Sequence, residues 1–200
     1  MGPPKREVEI KLRVSNLRAM LARLRELRAR KLSRTFEQNT LFDTPRRSLA
    51  KRGLLLRLRR ESSAARQRAT LTCKGPTLRG RWTRYKIRKE QEEAVRDPAA
   101  VERALLRLGL RPSFRYEKYR TRYRLPDLPG AHLELDETPI GVFFELEGTP
   151  RAIDRAARRL GYARRDYLTL SYLGLYLREC RRRGVRPRNM VFARRKRRKK

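Results

Sequence analysis

The stretch Glu7-Val8-Glu9-Ile10-Lys11-Leu12-Arg13 alternates apolar and charged residues without a break. Successive side chains of a strand point to opposite faces. Val8, Ile10 and Leu12 therefore share one face, and Glu7, Glu9, Lys11 and Arg13 share the other. The same phase recurs along the chain. Arg57 and Arg59 stand opposite Leu54, Leu56 and Leu58. Lys74 sides with Thr70 and Thr72, and Arg88 sides with Arg84, Lys86, Glu90 and Glu92. Lys118, Arg120, Arg122 and Arg124 form a basic row. Glu134 and Asp136 alternate with Leu133 and Leu135, and Glu145 and Glu147 with Phe144 and Leu146. Carboxylates dominate the first strand and the last two, and cations dominate the middle. A sheet with one wet face is ordinary, but such faces mix neutral polar residues with charges, and these rows are nearly pure Arg, Lys, Asp and Glu. Gathered carboxylates repel one another and need a cation, and an all-oxygen set suits magnesium or manganese. A facing array of cations, with arginine presenting its bidentate fork, suits a polyanion. The two sets together describe a site for a metal–polyphosphate complex.

The bulk numbers agree with one folded unit. Two hundred residues are enough for a sizeable core. The formal net charge of +34, from 55 Lys+Arg against 21 Asp+Glu, attracts nucleic acid, anionic membrane surfaces or phosphate-rich ligands without choosing among them. Cys73 and Cys180 are too few for a disulfide framework, and Cys73 is expected to pack on an apolar strand face. The single histidine, His132, argues against a histidine-based metal site or triad. No apolar run approaches the length of a membrane span and no signal-peptide core is present, so a cytoplasmic protein is expected.

The elements that must position these rows follow from spacing. Ser15 is placed to cap a helix over about 16–30. A strand over 36–42 ends at the turn signal Asp43-Thr44-Pro45. Strands over 54–59 and 69–74 flank a loop over 61–66, and a long strand runs over about 82–93. Asp97-Pro98 and Thr149-Pro150 each open a helix with a capping side chain and a proline at the first helical position. Strands over about 114–125, 132–136 and 142–147 lie between them, and a last helix covers about 169–183. The expected fold is α+β: eight mainly antiparallel strands closed into a barrel with a charged interior, a tunnel, flanked by helices. Closure would bring the first strand beside the last and gather the carboxylates. This domain is expected over 1–185, and 186–200, ending in Arg194-Arg195-Lys196-Arg197-Arg198-Lys199-Lys200, as a basic disordered tail.

In this order, the set of motifs resembles the CYTH, or triphosphate tunnel metalloenzyme, superfamily. Glu7-x-Glu9-x-Lys11 resembles its ExExK signature. Phe42-Asp43-Thr44-Pro45, Leu56-Arg57-Leu58-Arg59, Thr72-Cys73-Lys74, Arg88-Lys89-Glu90-Gln91-Glu92, Lys118-Tyr119-Arg120, Leu135-Asp136, Phe144-Glu145-Leu146-Glu147-Gly148 and Ser171-Tyr172 follow. The superfamily includes class IV adenylyl cyclases, thiamine triphosphatases and inorganic triphosphatases. The resemblance implies Mg2+ or Mn2+ held by Glu7, Glu9 and Glu147, with Glu145 close by. It implies a triphosphate-containing small molecule held by Lys11, Arg57, Arg59, Lys74, Arg88, Lys118 and Arg120. It places a functional acid at Asp136, so that Glu7, Glu9, Lys11 and Asp136 form the expected catalytic set. Glu90 and Glu92 would anchor neighbouring cations, and Arg122, Arg124 and Glu134 match by phase only.

Triphosphate hydrolysis is the leading expectation. The alternative within the superfamily is cyclisation of ATP to cyclic AMP and pyrophosphate. From another class, the +34 charge suggests a nucleic-acid-binding module; six carboxylates on the same faces as the basic rows argue against a phosphate backbone there, but the tail could hold polyanions non-specifically. A polyphosphate-binding protein without turnover is the third reading.

Overall fold

The computed structural model describes residues 3–78 and 84–193. Among them, eight strands close into one antiparallel barrel in the order β1-β5-β4-β3-β2-β6-β7-β8. The first is β1 (Lys5–Val14), joined through α1 (Leu17–Glu26) to β2 (Arg30–Asp43). The short α2 (Ser48–Lys51) precedes β3 (Leu55–Ser62), β4 (Gln67–Lys74) and β5 (Lys86–Val95). Then α3 (Pro98–Arg107) leads to β6 (Arg111–Arg124), β7 (Ala131–Thr138) and β8 (Gly141–Gly148). After α4 (Pro150–Arg159) comes a single 3-10 turn over Arg164–Asp166 and then α5 (Tyr172–Arg182).

Closure runs through β1. It pairs with β5 on one side, Glu7 opposite Arg88 and Glu9 opposite Lys86. On the other side it pairs with β8, Glu9 opposite Glu147 and Lys11 opposite Glu145. The odd-numbered residues of β1 therefore face inward. Ile10 and Leu12 face outward and pack with Leu133, Leu135, Phe144 and Leu146 under α1 and α4. Alternation puts one set in the tunnel and the other in this outer core. On another side Phe42, Leu58 and Leu105 form a smaller core beneath α3. Gly148 closes β8 where a Cβ would stand 2.3 Å from the Gly130 carbonyl oxygen, at φ 151°, so the approach of β8 to the start of β7 admits only glycine.

Several boundaries differ from the sequence expectation for local reasons. The cap of α1 is Asn16, whose side chain accepts from the Ala19 amide, not Ser15. The helix ends at Glu26, because Arg28 takes a left-handed φ of 51° and the chain re-enters the sheet at Arg30. Strand β2 is twice the expected length; its first residues do not alternate, and pairing with β6 holds them extended. Strand β5 continues to Val95, and positions 82–83 of the expected strand lie outside the described residues. Cys73 is exposed rather than packed, on an outer groove with Leu54, Leu56 and Leu110.

One end of the barrel interior is filled by protein. Leu41, Phe114, Tyr116 and Phe143 point inward from the strands and meet Tyr172 and Leu175 of α5. The Tyr172 ring lies 5.9 Å from Phe143 and 6.0 Å from Tyr116, centroid to centroid. Residues 186–193, which the sequence assigns to the tail, lie along β6. The Met190 amide donates to the Arg115 carbonyl and the Glu117 amide donates to the Met190 carbonyl, both at 2.9 Å, and Met190 is buried against the plug. Residues 194–200 lie outside the described residues.

Candidate active site

The inward rows converge on one cavity of about 190 Å³ that widens into a mouth of about 450 Å³. Strand β1 contributes Glu7, Glu9 and Lys11, and β8 contributes Glu145 and Glu147. Facing them are Arg57 and Arg59 from β3, Lys74 from β4, Lys86, Arg88, Glu90 and Glu92 from β5, and Lys118, Arg120 and Arg122 from β6. Glu134 of β7 shares this wall, and Lys5 and His132 stand at the mouth. Every expected metal-binding and substrate-binding residue lines this cavity. Asp136 alone among the expected site residues does not, since it lies fully buried behind the wall.

Most of these carboxylates are matched to cations. Lys74 donates to both oxygens of Glu7 at 2.6 and 2.7 Å and sits 3.0 Å from Glu90. Lys86 contacts Glu9 at 2.5 Å, and Lys11 bridges Glu9 at 3.3 Å and Glu145 at 2.7 Å. Arg120 reaches Glu134 and Glu145 and chelates Asp136. Glu92 pairs with Arg57 at 3.2 Å, and Arg122 donates to Glu134 at 3.1 Å and to Glu61 at 3.2 Å. Arg88 is held differently, donating to the carbonyls of Gly75 at 2.6 Å and Gly53 at 2.8 Å.

Buried charge is tolerated only where such pairs are complete. Burial alone would raise the Glu9 carboxyl, but Lys11 and Lys86 overcome it and hold Glu9 well below the usual carboxylate range. Glu145 is depressed in the same way against its burial by Lys11 and Arg120. Glu147 goes the other way. Burial, then the charges of Glu7 and Glu134, push its carboxyl up to about 7, and it makes no ion pair among the described residues. A corner with Glu7, Glu134 and Glu147 thus gathers three carboxylates, of which Glu147 has no cation of its own among the described residues.

That corner supplies the test of fit for a divalent ion. Its donors are all carboxylate oxygens, the hard-ligand chemistry that magnesium and manganese take. As placed, no three carboxylates among the described residues converge at ligating distance, because lysine ammonium groups stand on Glu7, Glu9 and Glu145. The set fits the ion in chemical kind, while Lys74, Lys86 and Lys11 stand on Glu7, Glu9 and Glu145.

Sequence reading did not single out Glu37 or Asn39, and it gave no role to Lys86 or Tyr172. Glu37 of β2 is fully buried, with Lys118, Arg120 and Arg59 at 3.5, 3.6 and 3.7 Å, and neither of its oxygens has a hydrogen-bond partner. These cations overcome its burial and hold its carboxyl low. Asn39, two residues on, accepts from Arg59 at 3.3 Å. Lys86 shares the face of Arg88, which alternation shows, but only pairing with β1 reveals its contact with Glu9. Tyr172 seals the floor. Its hydroxyl donates to Asp136 at 2.6 Å, and the ammonium groups of Lys11 and Lys118 lie 5.1 and 4.9 Å from its ring centroid. Asp136, accepting from Lys118 at 2.8 Å, from Arg120 and from Tyr172, joins the floor to the wall.

A closed barrel with carboxylates and cations facing its interior is a tunnel-type fold. The CYTH domain profile matches residues 5–165, and the chain belongs to that family. This is the superfamily of triphosphate tunnel metalloenzymes, which implies a divalent metal. Solved structures share the fold. A proposed adenylate cyclase from Vibrio parahaemolyticus superposes with a TM-score of 0.72 at 20% identity, covering 86% of this chain and 97% of that one. The PH1819 protein from Pyrococcus horikoshii OT3 gives 0.72 at 24% identity, covering 86% and 99%. HpAC1 from Hippeastrum, a proposed adenylyl cyclase described as having a dominant triphosphatase activity, gives 0.62 at 20% identity, covering 90% and 97%. Among curated proteins no relative matches the chain.

Proposed function

We propose that the chain is a divalent-metal-dependent triphosphatase, acting on an inorganic or organic triphosphate inside the tunnel. The observation that carries this reading is the opposition of two arrays in one dead-ended cavity: Glu7, Glu9, Glu145 and Glu147 on one wall, Arg57, Arg59, Lys74 and Arg88 on the other. Glu7, Glu9 and Glu147 would hold Mg2+ or Mn2+, with Glu145 beside them; when bound, the ion neutralises phosphate charge and polarises a phosphoryl oxygen. Arg57, Arg59, Lys74 and Arg88 bind the phosphate chain, arginine by its paired donors. Lys11, Lys118 and Arg120, fixed at the floor, receive the end that enters first. Asp136 acts through Lys118 and Arg120 as a positioning residue, since it is buried behind them. Such fixed charges stabilise the transition state without reorganising during reaction. Water attacks the terminal phosphorus, the bridging P–O bond breaks, and orthophosphate leaves the shortened chain.

A product assay tests this. Full-length protein with Mg2+ or Mn2+ is expected to release orthophosphate from tripolyphosphate or ATP, and Glu9→Gln to lower kcat about 10²–10³-fold while the protein stays folded by circular dichroism. Cyclic AMP with pyrophosphate from ATP would make the protein a cyclase instead. Absence of turnover with both substrates would sink the enzyme reading.

A further inference from the structure

The tunnel does not account for the charge of this protein. Its lining carries ten cations and seven carboxylates, and the buried Glu37 and Asp136 bring the acids to nine. The interior is therefore close to neutral, and nearly all of the +34 surplus belongs to the exterior and the C-terminal residues. A positive exterior of that size draws polyanions irrespective of what the tunnel does.

One place on the exterior adds a second feature. Phe36 of β2 and Tyr119 of β6 are paired directly across the strands, one residue out of phase with the inward Glu37 and Lys118. They face outward with ring centroids 4.9 Å apart. Phe192 completes the group at 5.5 Å from Tyr119 and 6.4 Å from Phe36. The Arg34 guanidinium lies 4.9 Å over the Tyr119 ring, and Tyr119 is 39% exposed. The acids on this face are already engaged. Glu117 accepts from Gln38 and from the Phe192 amide, and Glu137 bonds Arg34. The strap that brings Phe192 here carries exposed Arg186 and Arg188, and one residue beyond Phe192 the sequence continues as seven consecutive basic residues.

Partly exposed aromatic rings on a sheet, an arginine plane beside them and cations along the neighbouring chain are what unstacked bases and their phosphates require. A duplex keeps its bases stacked and offers only phosphates. We infer that the outer face of β2 and β6 binds single-stranded nucleic acid, with bases stacking on Tyr119, Phe36 and Phe192 and the basic exterior engaging the phosphates. This site lies outside the barrel and does not depend on the tunnel reaction.

Fluorescence anisotropy with labelled 20-nucleotide oligo-U and oligo-dT, against a mixed-sequence duplex of equal length, tests the assignment. The full chain is expected to bind the single strands about tenfold more tightly than the duplex, and saturating tripolyphosphate with Mg2+ is expected not to displace them. Tyr119→Ala with Phe192→Ala should abolish the preference while leaving phosphatase turnover in place, and Tyr119→Phe should keep it. Truncation after Ala193 should weaken both complexes and lower the slope of log K against log salt by up to about 5, at ~0.7 per phosphate contact, yet retain the preference. Equal affinity for duplex or for phosphatidylglycerol vesicles, an unchanged preference in the double-alanine variant, or its complete loss on truncation would overturn the assignment.

Discussion

The two ends of the barrel interior are built from the same strands and have opposite chemistry. On β6 the inward row runs from Arg122, Arg120 and Lys118 to Tyr116 and Phe114. On β2 it passes from Glu37 and Asn39 to Leu41, and on β8 from Glu147 and Glu145 to Phe143. On these three strands the change falls where α5 delivers Tyr172 and Leu175. Where the barrel stays open, charges meet water. Where a helix fills it, burying those charges would cost more than their pairing returns, so the rows turn apolar. Tyr172 sits on the boundary, its ring in the plug and its hydroxyl on Asp136. Among the described residues, α5 fills one end of the barrel and the charged cavity opens at the other.

Three changes would sharpen or break that division. Leu175→Ala removes buried side-chain volume from the plug and should cost about 2–5 kcal/mol of unfolding free energy in urea, with turnover per folded molecule retained. A loss of turnover at intact stability would show that the plug shapes the tunnel directly. At the open end, Glu147 has the second largest expected effect. Its folded pKa, pushed up to about 7, exceeds its unfolded value, so the folded protein binds this proton more tightly. Stability should therefore fall as pH rises from about 5 through 7, by ~2 kcal/mol after allowance for partial exposure, in metal-free protein. Glu147→Gln should flatten that slope, and a slope of the opposite sign in the wild type would refute the crowding of carboxylates there. The smallest effect is expected at Glu37. Glu37→Gln leaves Arg59, Lys118 and Arg120 with one counter-charge fewer, so tripolyphosphate binding in EDTA, measured by calorimetry, should tighten about tenfold. Unchanged or weaker affinity would mean that Glu37 holds those cations in place for the ligand rather than competing with it.

The rows of the tunnel were legible in the sequence because a strand reports its two faces at every second residue. Glu7, Glu9 and Lys11 are read from β1 alone, and Arg57, Arg59, Lys118 and Arg120 from theirs. The capping pairs Asp97-Pro98 and Thr149-Pro150 marked two helix starts correctly, since a cap is a contact within three residues. Glu37 was not legible. It lies in a stretch of mixed polarity, and its importance comes from three cations on two other strands. Asp136 looked like its neighbour Glu134, but the plug beside it makes one buried and leaves the other on the cavity wall. Met190 and Phe192 stand in a stretch whose composition reads as solvated tail, and they dock because β6 offers a free carbonyl and amide alongside.

By itself, then, the sequence determined which side chains share a face, where local caps start helices, and that acids and bases gather in rows on single strand faces. Those are consequences of a two-residue repeat and of contacts near in the chain. The tertiary structure decided which cation meets which carboxylate, which end of the tunnel is closed, and which charges are buried. Each of these depends on register between strands distant in sequence and on a helix more than 150 residues after β1, and no local pattern encodes that distance.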